Sequence, residues 1–253
     1  MMGVFESLLG TKLRRGGGFL LLLDPDRSSI EELTFLAEAA ADCEVDAILV
    51  GTSFMLKANF HDCLKDIKRC TPLPVILFPG AHSQISPFAD AVLFISLISG
   101  RNPYYLIDEQ VRGAPLIKEL GIESIATGYM LIESGGYSSV QYISGTMPIP
   151  SSKNDIACAH ALAAQYLGMK LIYMEAGSGA ERAVPDAMIE AVTKYIELPV
   201  LVGGGIRSPG EVEKKIEAGA SFVVVGSHFE NKRDVGAIAE FAVAAHPREN
   251  VRV

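Results

Sequence analysis

Eight short apolar runs, each about one strand long and each stopped by Gly, Pro, Asp or Ser, alternate along this chain with segments of helical spacing. They are Phe19–Leu23, Ala47–Val50, Val75–Phe78, Val92–Leu97, Ser124–Leu131, Leu171–Glu175, Pro199–Val202 and Ala220–Val225. A continuous apolar run, rather than an alternating one, means that both faces of a strand are covered, as in a parallel sheet wrapped by helices. Eight such strands with helices between them predict an α/β protein whose sheet closes into a (β/α)8 TIM-type barrel. The length of 253 residues matches the roughly 250 of one such barrel, so residues 1–253 are read as a single barrel domain. No repeat or low-complexity linker divides them.

Helix signals fall between the strands. Helices are expected over Val4–Leu13, from Ser29 as cap with Glu32 three residues on, over Phe60–Arg69, and up to about Leu120. Further helices open at Ser152 with Asp155, at Pro185, at Ser208 with Pro209 in the first helical position, and over Asp234–Ala245. The segment Ala81–Asp90 has weak periodicity and contains Pro87, so the third helix of the barrel is expected to be missing or replaced by a loop. A long connection, Glu133–Pro150, holds a strand-like run at Val140–Ile143 and is a candidate cover for a substrate.

The two last units carry the strongest chemical signal. Val202-Gly203-Gly204-Gly205 leads into the helix capped by Ser208, and Val225-Gly226-Ser227 ends the final strand. Glycines let a backbone approach a ligand, and N–H groups near a helix start favour an anion. Paired glycine-ended strands near the C-terminus match the phosphate site formed after strands 7 and 8 of a barrel. Tight turns alone are the bland alternative.

In such a barrel the chemistry sits at the C-terminal strand ends. Asp24 and Asp26 follow strand 1, Ser53 follows strand 2, and Tyr173 and Glu175 lie on one face of strand 6. A carboxylate beside a phosphate repels it unless a cation lies between, and Mg2+ takes such oxygen ligands together with water and substrate phosphates. Asp24 is therefore a candidate metal ligand with Ser53 as a neutral one; an Asx-type turn at Asp24-Pro25-Asp26 is the alternative. The phenol of Tyr173 and the carboxylate of Glu175 can hold a polyol, and Glu175 can accept its proton; a salt-bridged rim residue is the other reading of Glu175.

Charge narrows the partners. A net charge of -8 with interspersed signs argues against nucleic acid. The apolar runs are too short to cross a bilayer, and Phe19–Leu23 ends in Asp-Pro-Asp rather than in a signal-peptide cleavage pattern. Four cysteines without CxxC spacing fit reduced thiols in a cytoplasmic protein.

The motifs Leu23-Asp24-Pro25-Asp26, Val50-Gly51-Thr52-Ser53, Tyr173-Met174-Glu175-Ala176-Gly177-Ser178-Gly179, Gly203-Gly204-Gly205-Ile206 and Val225-Gly226-Ser227 resemble those of the geranylgeranylglyceryl phosphate synthases and heptaprenylglyceryl phosphate synthases, in the same order over nearly the whole chain. The resemblance implies a Mg2+-dependent prenyltransferase that joins an isoprenyl group, from its diphosphate, to the C3 hydroxyl of sn-glycerol 1-phosphate as an ether, the first such bond in archaeal-type lipids. It implies Mg2+ at Asp24 and Ser53. The acceptor would be held by Tyr173, Met174, Glu175, Ala176, Gly177, Ser178, Gly179, Gly204, Gly205, Gly226 and Ser227, with Glu175 and Tyr173 in catalysis. Tyr104, Tyr105 and Ile107 are candidate walls for the prenyl tail, or equally core or subunit contacts. The stretch Ser99–Pro115 is similar to that of relatives forming homo-oligomers, and product release implies a transient membrane contact. Ser227 stands where relatives have Asn, and Leu22 where some have Lys. Two other functions remain open: a phosphosugar isomerase or lyase on the same phosphate site, and a non-catalytic phosphate-binding barrel.

Overall fold

Side chains on a strand alternate between two faces, and in this protein both faces are apolar because they meet different partners. On β6 (Leu171–Glu175), Leu171 and Tyr173 pack inside a barrel, whereas Ile172 and Met174 pack outward against helices. The same split holds on β1 (Phe19–Leu23), with Leu20 inside and Phe19, Leu21 and Leu23 outside. In the computed structural model, which describes residues 2–57, 59–230 and 233–248, these strands close a parallel barrel in chain order. The others are β2 (Ala47–Val50), β3 (Val75–Leu77), β4 (Ala91–Leu97), β5 (Glu123–Leu131), β7 (Val200–Gly203) and β8 (Phe222–Val225), and β8 pairs with β1 through Leu20 and Val224.

Helix α1 (Val4–Arg15) sets Val4, Phe5 and Leu8 against the inner cluster, and the Glu123 carboxylate accepts the Phe5 N–H at 3.1 Å. The crossovers are α2 (Ile30–Asp42), α3 (Phe60–Cys70), α4 (Glu109–Leu120), α5 (Ser139–Ser144), α6 (Asn154–Tyr166), α7 (Asp186–Tyr195), α8 (Pro209–Glu217) and α9 (Val235–Ala245). Ser29 caps α2 by accepting the Glu32 N–H, and Ser208 and Glu211 form a reciprocal capping box on α8.

Two expectations are corrected. Val140–Ile143 is not strand-like; it lies in α5, where Ser138 Oγ accepts the Gln141 N–H at 3.2 Å. Four apolar residues do not distinguish the two periods, and the cap decides. Ser152 does not open α6: that helix begins at Asn154, because residues 150–153 form a turn in which Pro150 O accepts the Lys153 N–H and Glu133 holds the Ser151 N–H and hydroxyl. One unforeseen feature is a wide π-type turn, Tyr104–Asp108, leading into α4.

Between β3 and β4 there is no α-helix, only a short 3-10 turn, His82–Gln84. Gln84, 1% exposed, bridges the neighbouring strand ends. Its Oε1 accepts the Thr52 and Gly80 N–H groups at 3.3 Å each, and its Nε2 donates to Thr52 O at 2.8 Å. The amide thus mimics a paired strand where the barrel lacks a covering helix. Gly80 permits this closeness, since a Cβ there would lie 2.5 Å from Thr52 O. Gln84→Ala strands the buried Thr52 N–H and carbonyl and the half-buried Gly80 N–H, so urea unfolding is expected to register a loss of about 2–4 kcal/mol.

Candidate active site

The C-terminal ends of β6 and β7 meet through glycine. Glu175 is in register with Gly203, where a Cβ would lie 2.6 Å from both Glu175 Oε2 and the Tyr173 hydroxyl. At Gly204 a Cβ would collide with Glu175 Oε1 and stand 2.7 Å from the Gly177 nitrogen. Gly204 (φ +81°), Gly205 (φ +73°) and Gly177 (φ +101°) also take left-handed conformations that other residues rarely adopt. The two loops therefore close around a carboxylate. Glu175 is buried, and Gly177 N donates to its Oε1 at 2.6 Å.

Burial pushes the Glu175 pKa up to about 7, against the opposing effect of the Gly177 N–H and the nearby Tyr173. The Tyr173 hydroxyl lies close enough to favour the carboxylate but outside hydrogen-bonding geometry, which leaves a buried phenol without a partner. A buried orphan hydroxyl next to a buried carboxylate is a place for a ligand hydroxyl. Burial, followed by the charge of Glu175, also raises Tyr173 and Tyr129 well above the usual phenol value. Tyr129 and Phe78 pack on Tyr173 with centroids 5.4 and 5.0 Å away. Neither was singled out from sequence, although Tyr129 is the β5 residue in register with Tyr173, so inward alternation on β5 marks it.

Across the mouth, Asp24 ends β1. Its Oδ1 accepts the Asp26 N–H at 2.9 Å, and its Oδ2 is 3.5 Å from Arg27 Nε. Burial raises its pKa, countered by the Asp26 N–H, Arg27 and the Thr52 hydroxyl. Asp26 turns away and holds the next loop, accepting the Leu56 and Lys57 N–H groups at 2.6 and 2.9 Å. Ser53 lines the same cleft as Asp24, on the loop that Gln84 and Asp26 hold. Among the described residues no three His, Cys, Asp or Glu side chains gather for a metal. A cation at Asp24 and Ser53 would complete its shell with water and substrate oxygens. That is the habit of Mg2+, and the half-buried, under-compensated Asp24 carboxylate suits it.

A continuous cleft of about 1330 Å³, open solvent included, joins these ends. From Asp24, Glu175, Gly204, Gly226 and Ser227 it passes over Phe78 and leaves through the gap where β3–β4 has no helix, reaching Ile85, Phe94 and Ile117. Its distal walls are mostly apolar. Tyr105 lines it; Tyr104 stacks edge-on against Tyr105 beneath Arg112, and Ile107 is exposed.

The expected phosphate-side residues divide. Ser178, Gly204, Gly226 and Ser227 line the cleft, and Gly205, Gly177 and Gly179 shape the adjoining loops. Met174 and Ala176 send their side chains into the outer layer, and neither lines the cleft. The first N–H groups before α8 are already taken: Glu211 Oε2 accepts those of Arg207 and Ser208 at 2.6 and 3.1 Å. The capping box therefore leaves these two N–H groups engaged rather than open to an anion. Arg207 does not face the cleft either; it donates to Ala180 O and Glu181 O and so pins the loop after β6.

Comparison with known proteins agrees with this geometry. The model of the PcrB family matches residues 11–244. A geranylgeranylglyceryl phosphate synthase of Chitinophaga pinensis is 40% identical over 243 residues, covering 96% of each chain. The synthase of Thermococcus gammatolerans is 44% identical over 90% of each chain. Among solved structures, (S)-3-O-geranylgeranylglyceryl phosphate synthase from Thermoplasma acidophilum, in complex with sn-glycerol-1-phosphate, superposes with a TM-score of 0.92 at 33% identity, covering 98% of this chain and 100% of that one. The chain belongs to the PcrB family, the prenyltransferase family of the geranylgeranylglyceryl phosphate synthases.

Proposed function

We propose that this protein transfers a geranylgeranyl group from its diphosphate to the C3 hydroxyl of sn-glycerol 1-phosphate in a Mg2+-dependent reaction, forming the first ether bond of an archaeal-type lipid. The observation that carries this reading is the position of Glu175, buried between the glycine loops and the long apolar cleft. A phosphosugar isomerase or lyase has no use for such a cleft.

The acceptor phosphate lies on backbone N–H groups of the loops at Gly204-Gly205 and Gly226-Ser227. Its glycerol then reaches Tyr173 and Glu175, with the loop Gly177-Ser178-Gly179 closing above. The prenyl tail occupies the apolar cleft, past Phe78 and Tyr105, which leaves its reactive carbon at the mouth. Glu175 takes the proton of the C3 hydroxyl as that oxygen bonds to the prenyl carbon and the carbon–diphosphate bond breaks. A base with a pKa near 7 suits this at neutral pH. Tyr173 offers its unpartnered hydroxyl to orient the acceptor. Asp24 and Ser53 would hold Mg2+, which would supply charge neutralisation for the departing diphosphate.

The same reading includes a cytoplasmic location, a homo-oligomer and a transient membrane contact for releasing a lipid-like product. Exposed Phe54, Leu56, Tyr137 and Met147 on the loops after β2 and β5 support an apolar contact of this kind. Among the described residues no helix is long and apolar enough to cross a membrane.

An extraction assay tests the reaction: label is expected to move from sn-glycerol 1-phosphate, but not the sn-3 enantiomer, into the organic phase with geranylgeranyl diphosphate and Mg2+. Absence of transfer with every prenyl diphosphate overturns it. Asp24→Asn is expected to raise the Mg2+ concentration needed for half-maximal rate, and an unchanged requirement removes Asp24 from the metal site.

Glu175→Gln is expected to keep acceptor binding and to lose about 10²–10⁴ in turnover. In the unchanged enzyme, kcat/KM should climb about tenfold per pH unit below pH 7 and level off above it, a limb the variant lacks. Stability moves the opposite way. The native state binds the proton more tightly than the unfolded chain, so Glu175 lowers stability as pH rises from 4.5 to about 7. Glu175→Gln, whose amide oxygen still accepts from Gly177, should therefore gain up to about 3 kcal/mol at pH 8 and nothing below pH 4.5, read by denaturant unfolding.

A further inference from the structure

Arg27 and Glu230 have no part in the mechanism above, yet Arg27 reaches Glu230 and Asp24, both of which line the cleft. Arg27 Nε lies 3.5 Å from Asp24 Oδ2, and its Nη1 lies 3.4 Å from Glu230 Oε2. Both carboxylates line the cleft. Neither contact is the short paired fork, about 2.7–2.9 Å, that a guanidinium makes with a carboxylate in its best geometry. One cation is thus spread loosely over two anions, and its side chain is 42% exposed.

The main chain beneath it is fixed. Arg27 N and Ser28 N donate to Asp24 O at 3.1 and 3.2 Å. Lys57 Nζ reaches Pro25 O and Ser28 O at 3.1 and 3.5 Å, and Asp26 grips the Leu56 and Lys57 N–H groups. A side chain free to swing from a pinned backbone loses little order on changing partners. Glu230 lies in the turn that begins at Gly226 and Ser227, where Phe229 N donates to Gly226 O at 2.9 Å. A carboxylate beside an anion-binding loop repels the incoming anion unless something masks it. Arg27 provides the mask.

Resting on the prenyl-transfer reading, we infer that Arg27 binds the diphosphate of the donor and that Glu230 is its resting partner, exchanged for phosphate oxygens when the donor arrives. The planar guanidinium matches two phosphate oxygens better than the loose pair it leaves. An exposed ion pair gives up little on breaking, so the exchange is driven by the larger charge of the diphosphate. Arg27 makes no covalent step and shifts no proton.

The test is calorimetric titration of the full-length protein with inorganic diphosphate in the presence of Mg2+, with sn-glycerol 1-phosphate titrated separately. Arg27→Ala should weaken diphosphate binding at least about tenfold, raise KM for the prenyl diphosphate in step, and leave acceptor binding unchanged. Arg27→Lys, keeping the charge but not the fork, should recover part of the loss. Glu230→Gln should act in the opposite direction and tighten diphosphate binding about two- to fivefold, by freeing the guanidinium. Diphosphate binding that ignores Arg27→Ala, a wild type that binds none, or a Glu230→Gln variant that weakens it overturns the assignment. An equal loss of acceptor binding in Arg27→Ala overturns it too. If instead diphosphate binding depends on Arg27 while no prenyl group is ever transferred, the anion site stands and the prenyl-transfer reading fails.

Discussion

The site depends on keeping one carboxylate, Glu175, largely buried beneath the glycine loops at the head of the cleft. In that setting the charged form is penalised, and two glycines let the surroundings close in: a Cβ at Gly203 or Gly204 would occupy the space that Glu175 and Tyr173 fill. The Gly177 N–H, at 2.6 Å, restores part of the lost solvation without neutralising the group. The balance leaves an acid with a pKa near 7, costly for stability and suited to moving a proton at neutral pH. Stability is surrendered at this point and recovered in the barrel, whose inner cluster, from Leu20 to Val224, is almost wholly buried.

A second constraint is the opening in the helical layer. Replacing one crossover helix by the turn His82–Gln84 leaves Phe94 half-buried on the outer side of β4 while Val75, Leu77 and Val92 stay buried, and the apolar cleft runs out through this gap. An exposed apolar channel would normally destabilise the fold, yet Gln84 closes the backbone of the neighbouring loops while leaving the channel free. The same bridge steadies the loop that carries Ser53. The loop that carries Ser53 and the apolar cleft therefore share one small support.

The barrel was legible because parallel strands covered on both faces appear as unbroken apolar runs, and all eight fall where those runs stand. The missing helix was legible from the absence of periodicity around Pro87. What misled was short or one-sided information. Val140–Ile143 has too few residues to express a period, and the Ser152–Asp155 spacing mimics a cap although Ser152 lies in the turn before the helix. Tyr129 escaped notice because a tyrosine inside a long strand carries no motif; its role comes from standing next to Tyr173 across the sheet.

By itself the sequence determined the periodicity of strands and helices, the places where glycine relieves the backbone, and the kinds of side chain at the strand ends. Those are local properties, set by covalent structure and by the hydrophobic alternation of neighbouring residues. Only the tertiary structure decided which of two carboxylates in Asp24-Pro25-Asp26 faces the cleft and which holds the loop at Leu56 and Lys57. It likewise decided that Met174 turns outward while Tyr173 turns in, and that Arg27 rests between Asp24 and Glu230. Each of these is settled by groups distant in the chain competing for the same hydrogen bond or the same volume, and that competition exists only once the barrel has closed.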